Sequence, residues 1–312
     1  MAVALLPFPV DPQLTAVTIA YKNGRFIADD VMPRTPPLGV KTFKYRVFNL
    51  SDSFNIPETT VGRTSRPNQV EFGMSELSGV TRDYGLDDPI PLADIKQAPQ
   101  GYDPRAHAVM TLTDTIGLDR ERRVAAKVFN TANYVAGNKI ILSGSSQFSD
   151  PTSDPIGVIY GALDAMVMRA NIMVVGRPAW SRLIRHPAIL QAMHGTSGDK
   201  GVATMQFVKE LYELEEVFVG EAYMNSARKG QTASMSRVWG KHISLLYRDR
   251  LANANSGRAT WGFTAQCGAR VAGAIEDRDI GLEGGVRVRV GESVEEVVAA
   301  PDLGYFIENA VQ

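Results

Sequence analysis

The sequence lacks the features that mark secreted and membrane proteins. Cys267 is the only cysteine among 312 residues, so no intrachain disulfide can form and we expect folding in a reducing compartment. No apolar run approaches the roughly 18 residues that suggest a membrane-spanning helix. The apolar N-terminal segment is short, lacks a preceding basic region and contains prolines, so we expect no signal peptide.

An excess of charge of one sign is also missing. The chain has 33 basic and 34 acidic residues, a formal net charge of −1. Domains that bind nucleic acid through bulk charge are usually strongly basic, so any contact with DNA or RNA is expected to be local and weak. With 44% hydrophobic and 21% charged residues, the composition is that of a globular protein and excludes the disordered class.

Motifs for phosphate binding, nucleophilic catalysis and zinc binding are missing as well. The segment GTSGDKG at 195–201 has the glycines of a phosphate-binding loop, but Asp199 separates Gly198 from Lys200 and would repel phosphate. The segment LSGSSQ at 142–147 lacks the Gly-x-Ser-x-Gly pattern of a nucleophile elbow. The four histidines lack the spacing of a zinc-binding helix; they are His107, His186, His194 and His242.

Acidic pairs do not suggest a catalytic site either. The pairs within LEE at 214–216 and VEE at 294–296 directly follow apolar residues. This pattern favours carboxylates on a solvated face over paired general acids. We therefore predict no catalytic, cofactor-binding or metal-binding residue. A serine–histidine–aspartate triad built from scattered residues is the alternative that the sequence leaves open.

What the sequence has instead is an unusually long hairpin. Residues 41–48 alternate apolar and basic side chains, and residues 70–75 alternate again, as half-buried strands do. The mostly polar segment 49–69 between them is far longer than the usual hairpin loop of about two to five residues. A strand pair of this kind needs additional packing, so we expect it to bury surface on another molecule.

Local signals predict helices and strands on both sides of this hairpin. Residues 1–37 form a weakly patterned arm that, like the hairpin, is predicted to lack a partner within the chain. Asp103 before Pro104 predicts a long helix over 104–133, with its charged run DRERR interrupting the apolar face. Asp154 before a proline predicts a second helix. Further short strands and helices follow, among them a buried strand at 171–176, a helix that ends at His186, a helix capped by Thr204, and strands at 285–291 and 303–311.

Taken in order, these segments resemble the major capsid proteins of tailed bacteriophages over nearly the whole chain. The segment 14–37 resembles the family's N-terminal arm, and 171–189 resembles the strand and helix that open its axial domain. Residues 217–231 and 238–248 are similar to the later axial-domain segments, and 298–311 is similar to the final strand. No single motif carries the resemblance, which lies in the ordered set.

The resemblance implies an α+β fold with four parts. These are an N-terminal arm at 1–37, an extended loop at 38–90 that lies across a neighbouring subunit, a peripheral domain at 91–170 and 265–312 with a long spine helix, and an axial domain at 171–264. It also implies a non-enzymatic shell subunit that forms hexamers and pentamers of an icosahedral capsid around double-stranded DNA.

The implied location is the virion, after assembly in the cytoplasm of a host bacterium. The implied partners are other copies of the chain, a scaffolding protein, a portal protein, a decoration or cement protein, and weakly bound DNA. We expect the scaffolding protein to be separate because the recognisable arm begins within the first 20 residues. Two alternatives remain: an encapsulin-type nanocompartment shell of the same fold, and an unrelated soluble α+β enzyme with an inserted hairpin.

Four residues are candidates for contacts between subunits. Arg63 and Arg66 lie near the predicted loop tip, where a guanidinium group can pair with a carboxylate in fixed geometry. Phe54 and Arg25 are the other two candidates.

Some relatives join neighbouring subunits by an isopeptide bond from a lysine on the extended loop. Segment 49–69 contains no lysine, and Lys41 and Lys44 lie at the base of the strand. Because the guanidinium groups in this loop are poor nucleophiles, we predict a non-covalent shell.

Overall fold

The computed structural model confirms the mixed α+β class. It describes residues 26–48, 56–69, 74–195, 201–228, 230–252 and 258–312. Within these residues the chain forms seven α-helices and thirteen β-strands, which pair into four sheets. None of the helices in this part of the chain has the length and apolarity of a membrane span.

The first described segment, 26–38 (the arm segment), packs on the body of its own chain. It contains the short helix α1 (Ala28–Val31), and the apolar side chains around that helix are buried. Backbone N–H groups of Thr35 and Leu38 donate to the carbonyl oxygens of Thr264 and Gln266 at 2.8 and 2.7 Å. The prediction of an arm without a partner in the chain is therefore wrong for this segment, because its few apolar residues insert against the core.

The predicted hairpin consists of β1 (Thr42–Phe48) and β2 (Met74–Val80), which pair antiparallel. Its described tip, 56–69, is exposed at every residue. The strand predicted at 70–75 lies mostly outside the described residues, and β2 extends it to Val80.

Residues 82–91 do not belong to the free hairpin, which corrects the sequence-based expectation. They form β3 (Arg82–Pro91), which pairs antiparallel along β12 (Gly285–Val298). Two further strands, β10 (Gly262–Gln266) and β11 (Val271–Asp277), complete this four-stranded sheet. The pairing could not be read locally, because the strands are about 200 residues apart in sequence.

The predicted long helix supports this sheet. After α2 (Leu92–Lys96), α3 spans Pro104–Val128, and Asp103 caps it by accepting a hydrogen bond from the Arg105 backbone N–H at 2.9 Å. The helix therefore starts as predicted and ends about one turn earlier. The first half of its apolar face packs against alternate valines of β12; the residues in this cluster include Val109, Leu112, Ile116, Val286, Val288 and Val290.

A five-stranded sheet forms the second half of the molecule. Its central strand β5 (Ile172–Gly176) is buried throughout, as the run of apolar residues predicts. Met173 and Val175 face one hydrophobic cluster, and Ile172 and Val174 face another that includes α1 and the second half of α3. The other strands are β4 (Lys139–Ile141), β6 (Glu216–Gly220), β9 (Ile243–Leu246) and β13 (Gly304–Glu308), in the order β4-β13-β9-β5-β6.

Four helices cover one face of this sheet, and two of them begin after the predicted caps Asp154 and Thr204. His186 was predicted to lie at the end of a helix, whereas it caps the start of the next one. Asp154, His186 and Thr204 each accept a hydrogen bond from a backbone N–H in the first turn of the following helix. The helices are α4 (Pro155–Ala165), α5 (Arg177–Leu183), α6 (Pro187–His194) and α7 (Met205–Leu211), and a small hairpin of β7 (Tyr223–Asn225) and β8 (Met235–Arg237) follows the edge strand β6.

Candidate functional site

The projecting hairpin is the candidate functional site, and its tip is unusually exposed. Ile56 has 95% of its surface accessible, and Val61 is also exposed. A short turn at the tip closes through the Ser65 backbone N–H, which donates to the carbonyl oxygen of Gly62 at 3.0 Å. The Asn68 side-chain amide donates to the carbonyl oxygen of Glu58 at 2.9 Å and holds the two sides of the tip together.

Two of the four predicted contact residues lie in this tip. Arg63 and Arg66 are exposed, and within the described residues neither forms an ion pair. Both guanidinium groups are therefore available to another molecule. Phe54 and Arg25 lie outside the described residues, so their role stays a prediction.

The base of the hairpin is anchored in its own chain. Phe43 is buried against Phe263 and Val297, and the ring of Tyr45 meets that of Phe263 edge-on at 6.1 Å. Gly79 lies opposite Phe43, where a Cβ atom would come within 2.5 Å of the phenyl ring. A glycine is therefore needed at position 79 for the ring to lie across the hairpin. The result is a fixed base with a free tip.

Both lysines at the base of the hairpin form ion pairs. Lys41 pairs with Asp83, which also accepts a hydrogen bond from the Ser293 hydroxyl of β12. Lys44 pairs with Glu76 across the hairpin at 2.7 Å. Both lysine side chains are more than half exposed, so each ammonium group is solvated as well as paired with a carboxylate.

A network of buried charges fixes the arm segment against the spine helix, α3, and against the four-stranded sheet. Arg120 is buried on α3, pairs with Asp29 and donates to the Thr264 hydroxyl at 3.0 Å. Arg34 also bonds Asp29, at 2.8 Å, and reaches Glu292 of β12 at 2.9 Å. Each charge is thus compensated by an opposite charge, as burial requires.

These ion pairs lower the pKa values of the two acidic partners. Burial alone would raise the pKa of Asp29, but the nearby Arg120 and Arg34 guanidinium groups outweigh it and bring the pKa well below its usual range. The pKa of Glu292 is also lowered, because Arg34 and Arg270 offset the effect of burial. Both carboxyl groups are therefore ionised in the folded chain at neutral pH.

A second anchor lies one residue further along the same helix. Glu121 is fully buried, and its two carboxylate oxygens accept hydrogen bonds from the backbone N–H groups of Ile27 and Ala28 at 3.0 and 2.9 Å. The indole N–H of Trp239 donates to the same carboxylate at 2.6 Å. Burial raises the pKa of Glu121, although these hydrogen bonds oppose the shift. One side chain therefore joins α3, the arm segment and the loop before β9.

These anchoring residues were not predicted from the sequence. The run DRERR was expected to be a charged interruption, whereas Arg120 and Glu121 are interior contacts. The acidic pair near 295 was expected to be solvated, whereas Glu296 is buried and pairs with Arg123 at 3.0 Å. The only local signal was the position of these charges on a helix whose flanking residues are apolar.

One serine–histidine contact bears on the enzyme alternative. The Ser153 hydroxyl lies 3.1 Å from Nε2 of His186. Nδ1 of the same ring accepts a hydrogen bond from the Ala188 backbone N–H at 3.2 Å, and Nε2 also lies 3.0 Å from the carbonyl oxygen of Asp150. The tautomer that fits both contacts carries its proton on Nε2. A ring nitrogen that already holds a proton cannot take one from the serine, so this contact is structural. No group of three or more metal-ligating side chains is placed to hold an ion within the described part of the chain.

Comparison with known proteins identifies the fold and the family. No family model matches the sequence. The chain is 54% identical to the major capsid protein of Pseudomonas phage JBD67 over 305 residues, which cover 98% of each chain. The chain belongs to the phage major capsid proteins.

Solved structures agree with this assignment. A phage-related protein from Bordetella bronchiseptica RB50 superposes with a TM-score of 0.74 at 24% identity, covering 98% of both chains. The capsid of the cyanophage P-SCSP1u superposes with a TM-score of 0.58 at 10% identity, covering 93% of this chain and 89% of that one. These superpositions show the shared fold. The 54% identical major capsid relative makes the protein a structural component of a virion shell, and the nanocompartment alternative is not favoured.

Proposed function

We propose that this capsid protein assembles into hexamers and pentamers of an icosahedral shell around double-stranded DNA, with the hairpin tip contacting a neighbouring subunit. The single observation that carries the proposal is the contrast between the buried base at Phe43 and the fully exposed tip at 56–69. A segment that is anchored at one end and free at the other gains stability only when it packs on another surface.

The length of the hairpin supports a contact beyond its own subunit. From Thr42 to the tip at Arg63, an extended chain spans at most about 70 Å at roughly 3.3 Å per residue. A compact chain of this size has a radius of gyration of only about 20 Å. The tip can therefore reach past the body of its own subunit.

The remaining parts have proposed places in the shell. Residues 171–264 would gather around the five- and six-fold axes, where the β7–β8 hairpin offers exposed Tyr223 and Met235 for contacts between copies. The four-stranded sheet and α3 would lie at the periphery of each ring. We propose a purely structural role without catalysis, which membership of the major capsid proteins supports.

Other partners stay predictions. The net charge of −1 supports weak rather than tight contact with packaged DNA. A scaffolding protein, a portal protein and a decoration or cement protein are expected of a tailed-phage capsid, and a pull-down of each from an assembling head would test them.

Deletion of the tip tests the proposal. Residues 50–68 are removed and the strands are joined by Asn-Gly, a turn that suits a two-residue hairpin loop. We expect a folded subunit, because Phe43 and its partners remain, but no closed particles by size-exclusion chromatography and electron microscopy. A second variant keeps the length and replaces 56–69 with glycine and serine. Native-sized particles from both variants would show that the hairpin does not drive assembly.

A further inference from the structure

A groove on the periphery of the molecule has the chemistry to receive the hairpin tip. It lies between the end of β3, α2 and the start of α3, and has a volume of about 450 Å³. Proline and aromatic rings form most of its wall, including Pro91, Pro104 and Tyr102. Asp88 and Asp94 provide two carboxylates at the same groove.

These two carboxylates are without cations in the described part of the chain. Nearby acidic groups are paired: Asp87 with Arg289 at 2.6 Å, and Glu283 with Lys96 at 2.7 Å. No described cation lies within ion-pair distance of Asp88 or Asp94. The described part of the subunit thus leaves the negative charges of both carboxylates in this groove without a cation.

The aromatic wall adds a second feature that suits arginine. The Tyr102 ring is about half exposed and lies 5.7 Å from the His107 ring, centroid to centroid. A guanidinium group stacks on such rings while it pairs with carboxylates, which an ammonium group does less well. The groove therefore favours a ligand that carries arginine on a small turn.

We propose that Arg63 and Arg66 of one subunit bind in this groove of another copy of the chain, pairing with Asp88 and Asp94. The inference rests on the proposed function, in which the tip contacts a neighbour. The groove lies at the end of β3 that is away from the hairpin, and the tip of the same subunit is fully exposed. A second copy is therefore the occupant that supplies two unpaired arginines to two unpaired aspartates.

Charge reversal in the full chain tests the contact. In Arg63→Glu with Arg66→Glu, and separately in Asp88→Lys with Asp94→Lys, we expect at least a tenfold loss in the yield of particles by sedimentation. That factor corresponds to about 1.4 kcal/mol in an equilibrium constant. The melting temperature of the subunit should not change, because these side chains form no ion pairs within the described subunit. Combining all four substitutions should restore particles.

A matched control separates local pairing from net charge. Glu276→Lys with Asp279→Lys makes the same change of charge at exposed sites outside the groove. Combined with the two arginine reversals, it should not restore particles. Rescue by this control, failure of the fourfold variant to recover, or wild-type assembly of the groove variant would each overturn the proposal. The tip deletion separates failure of this groove assignment from failure of the proposed function. If the deletion blocks assembly while the groove variant assembles, only the groove assignment is wrong.

Discussion

Removal of the Glu121 carboxylate tests whether the arm segment is held by the spine helix. In Glu121→Ala, the backbone N–H groups of Ile27 and Ala28 and the indole N–H of Trp239 lose their acceptor inside the protein. A buried donor left without a partner costs about 1–3 kcal/mol, so three of them cost about 3–9 kcal/mol. Burial also disfavours the ionised carboxylate itself, so its removal offsets part of this loss of stability. We expect a net loss of about 3–5 kcal/mol in the free energy of unfolding.

Urea unfolding of the unassembled subunit measures this loss. Glu121→Gln keeps one acceptor oxygen but turns an amide N–H₂ towards other donors, so we expect it to lose about 1–3 kcal/mol. Arg122→Ala is the matched control on the same helix, because that side chain is more than half exposed and, among the described residues, pairs only with Asp119 one turn away. Its effect should stay within about 0.5 kcal/mol.

Hydrogen exchange supplies an independent readout of the same anchor. The amides of Ile27 and Ala28 should exchange faster in Glu121→Ala, while those of β5 should change only in line with the global loss. The reasoning would be refuted if Glu121→Ala lost no more stability than Arg122→Ala, or if exchange at Ile27 and Ala28 stayed unchanged.

Three further predictions follow from the base of the hairpin and the buried ion pairs. The pKa values of Asp29 and Glu292 are lowered in the folded chain, so both groups stabilise the fold at pH values above the ordinary carboxyl pKa. This stability is lost as the pH falls through the folded-state pKa values. The urea concentration at the unfolding midpoint should therefore decrease as the pH falls below about 4, and this decrease should be less steep in Asp29→Asn. Equal pH dependence in the variant and the unsubstituted protein would contradict this. Mature particles should run on a denaturing gel as one band near 34 kDa, because Lys41 and Lys44 are ion-paired at the base of the hairpin. A ladder of multimers that persists under denaturing conditions and disappears in Lys41→Arg or Lys44→Arg would contradict this prediction. Phe43→Ala should cost about 3 kcal/mol in the same urea assay; a loss below about 1 kcal/mol would show that the base is not anchored.

Local signals predicted much of the fold. The helix starts at Asp103, Asp154 and Thr204 were correct, because capping depends on a side chain and backbone N–H groups within one turn. The buried strand predicted at 171–176 was correct, because the residues of β5 are apolar on both faces. In both cases the information lies within a few consecutive residues.

Long-range pairing could not be predicted in this way. Glu121 bonds Ile27 and Trp239, which are 94 and 118 residues away, and no spacing rule connects them. The family resemblance placed residues 82–90 in the extended loop, whereas they pair with β12 near the other end of the chain. The predicted contact at Arg63 and Arg66 involves a second molecule, so neither the sequence of one chain nor its fold tests it.

Cryo-electron microscopy of particles assembled from the full chain tests the central claim most directly, because it shows whether copies form a shell and where each hairpin lies. We predict closed icosahedral shells of five- and six-membered rings, with density for residues 56–69 on a neighbouring subunit. Single subunits at the highest soluble concentration, both alone and with the other head proteins, or shells in which the tip folds onto its own subunit, would contradict the account.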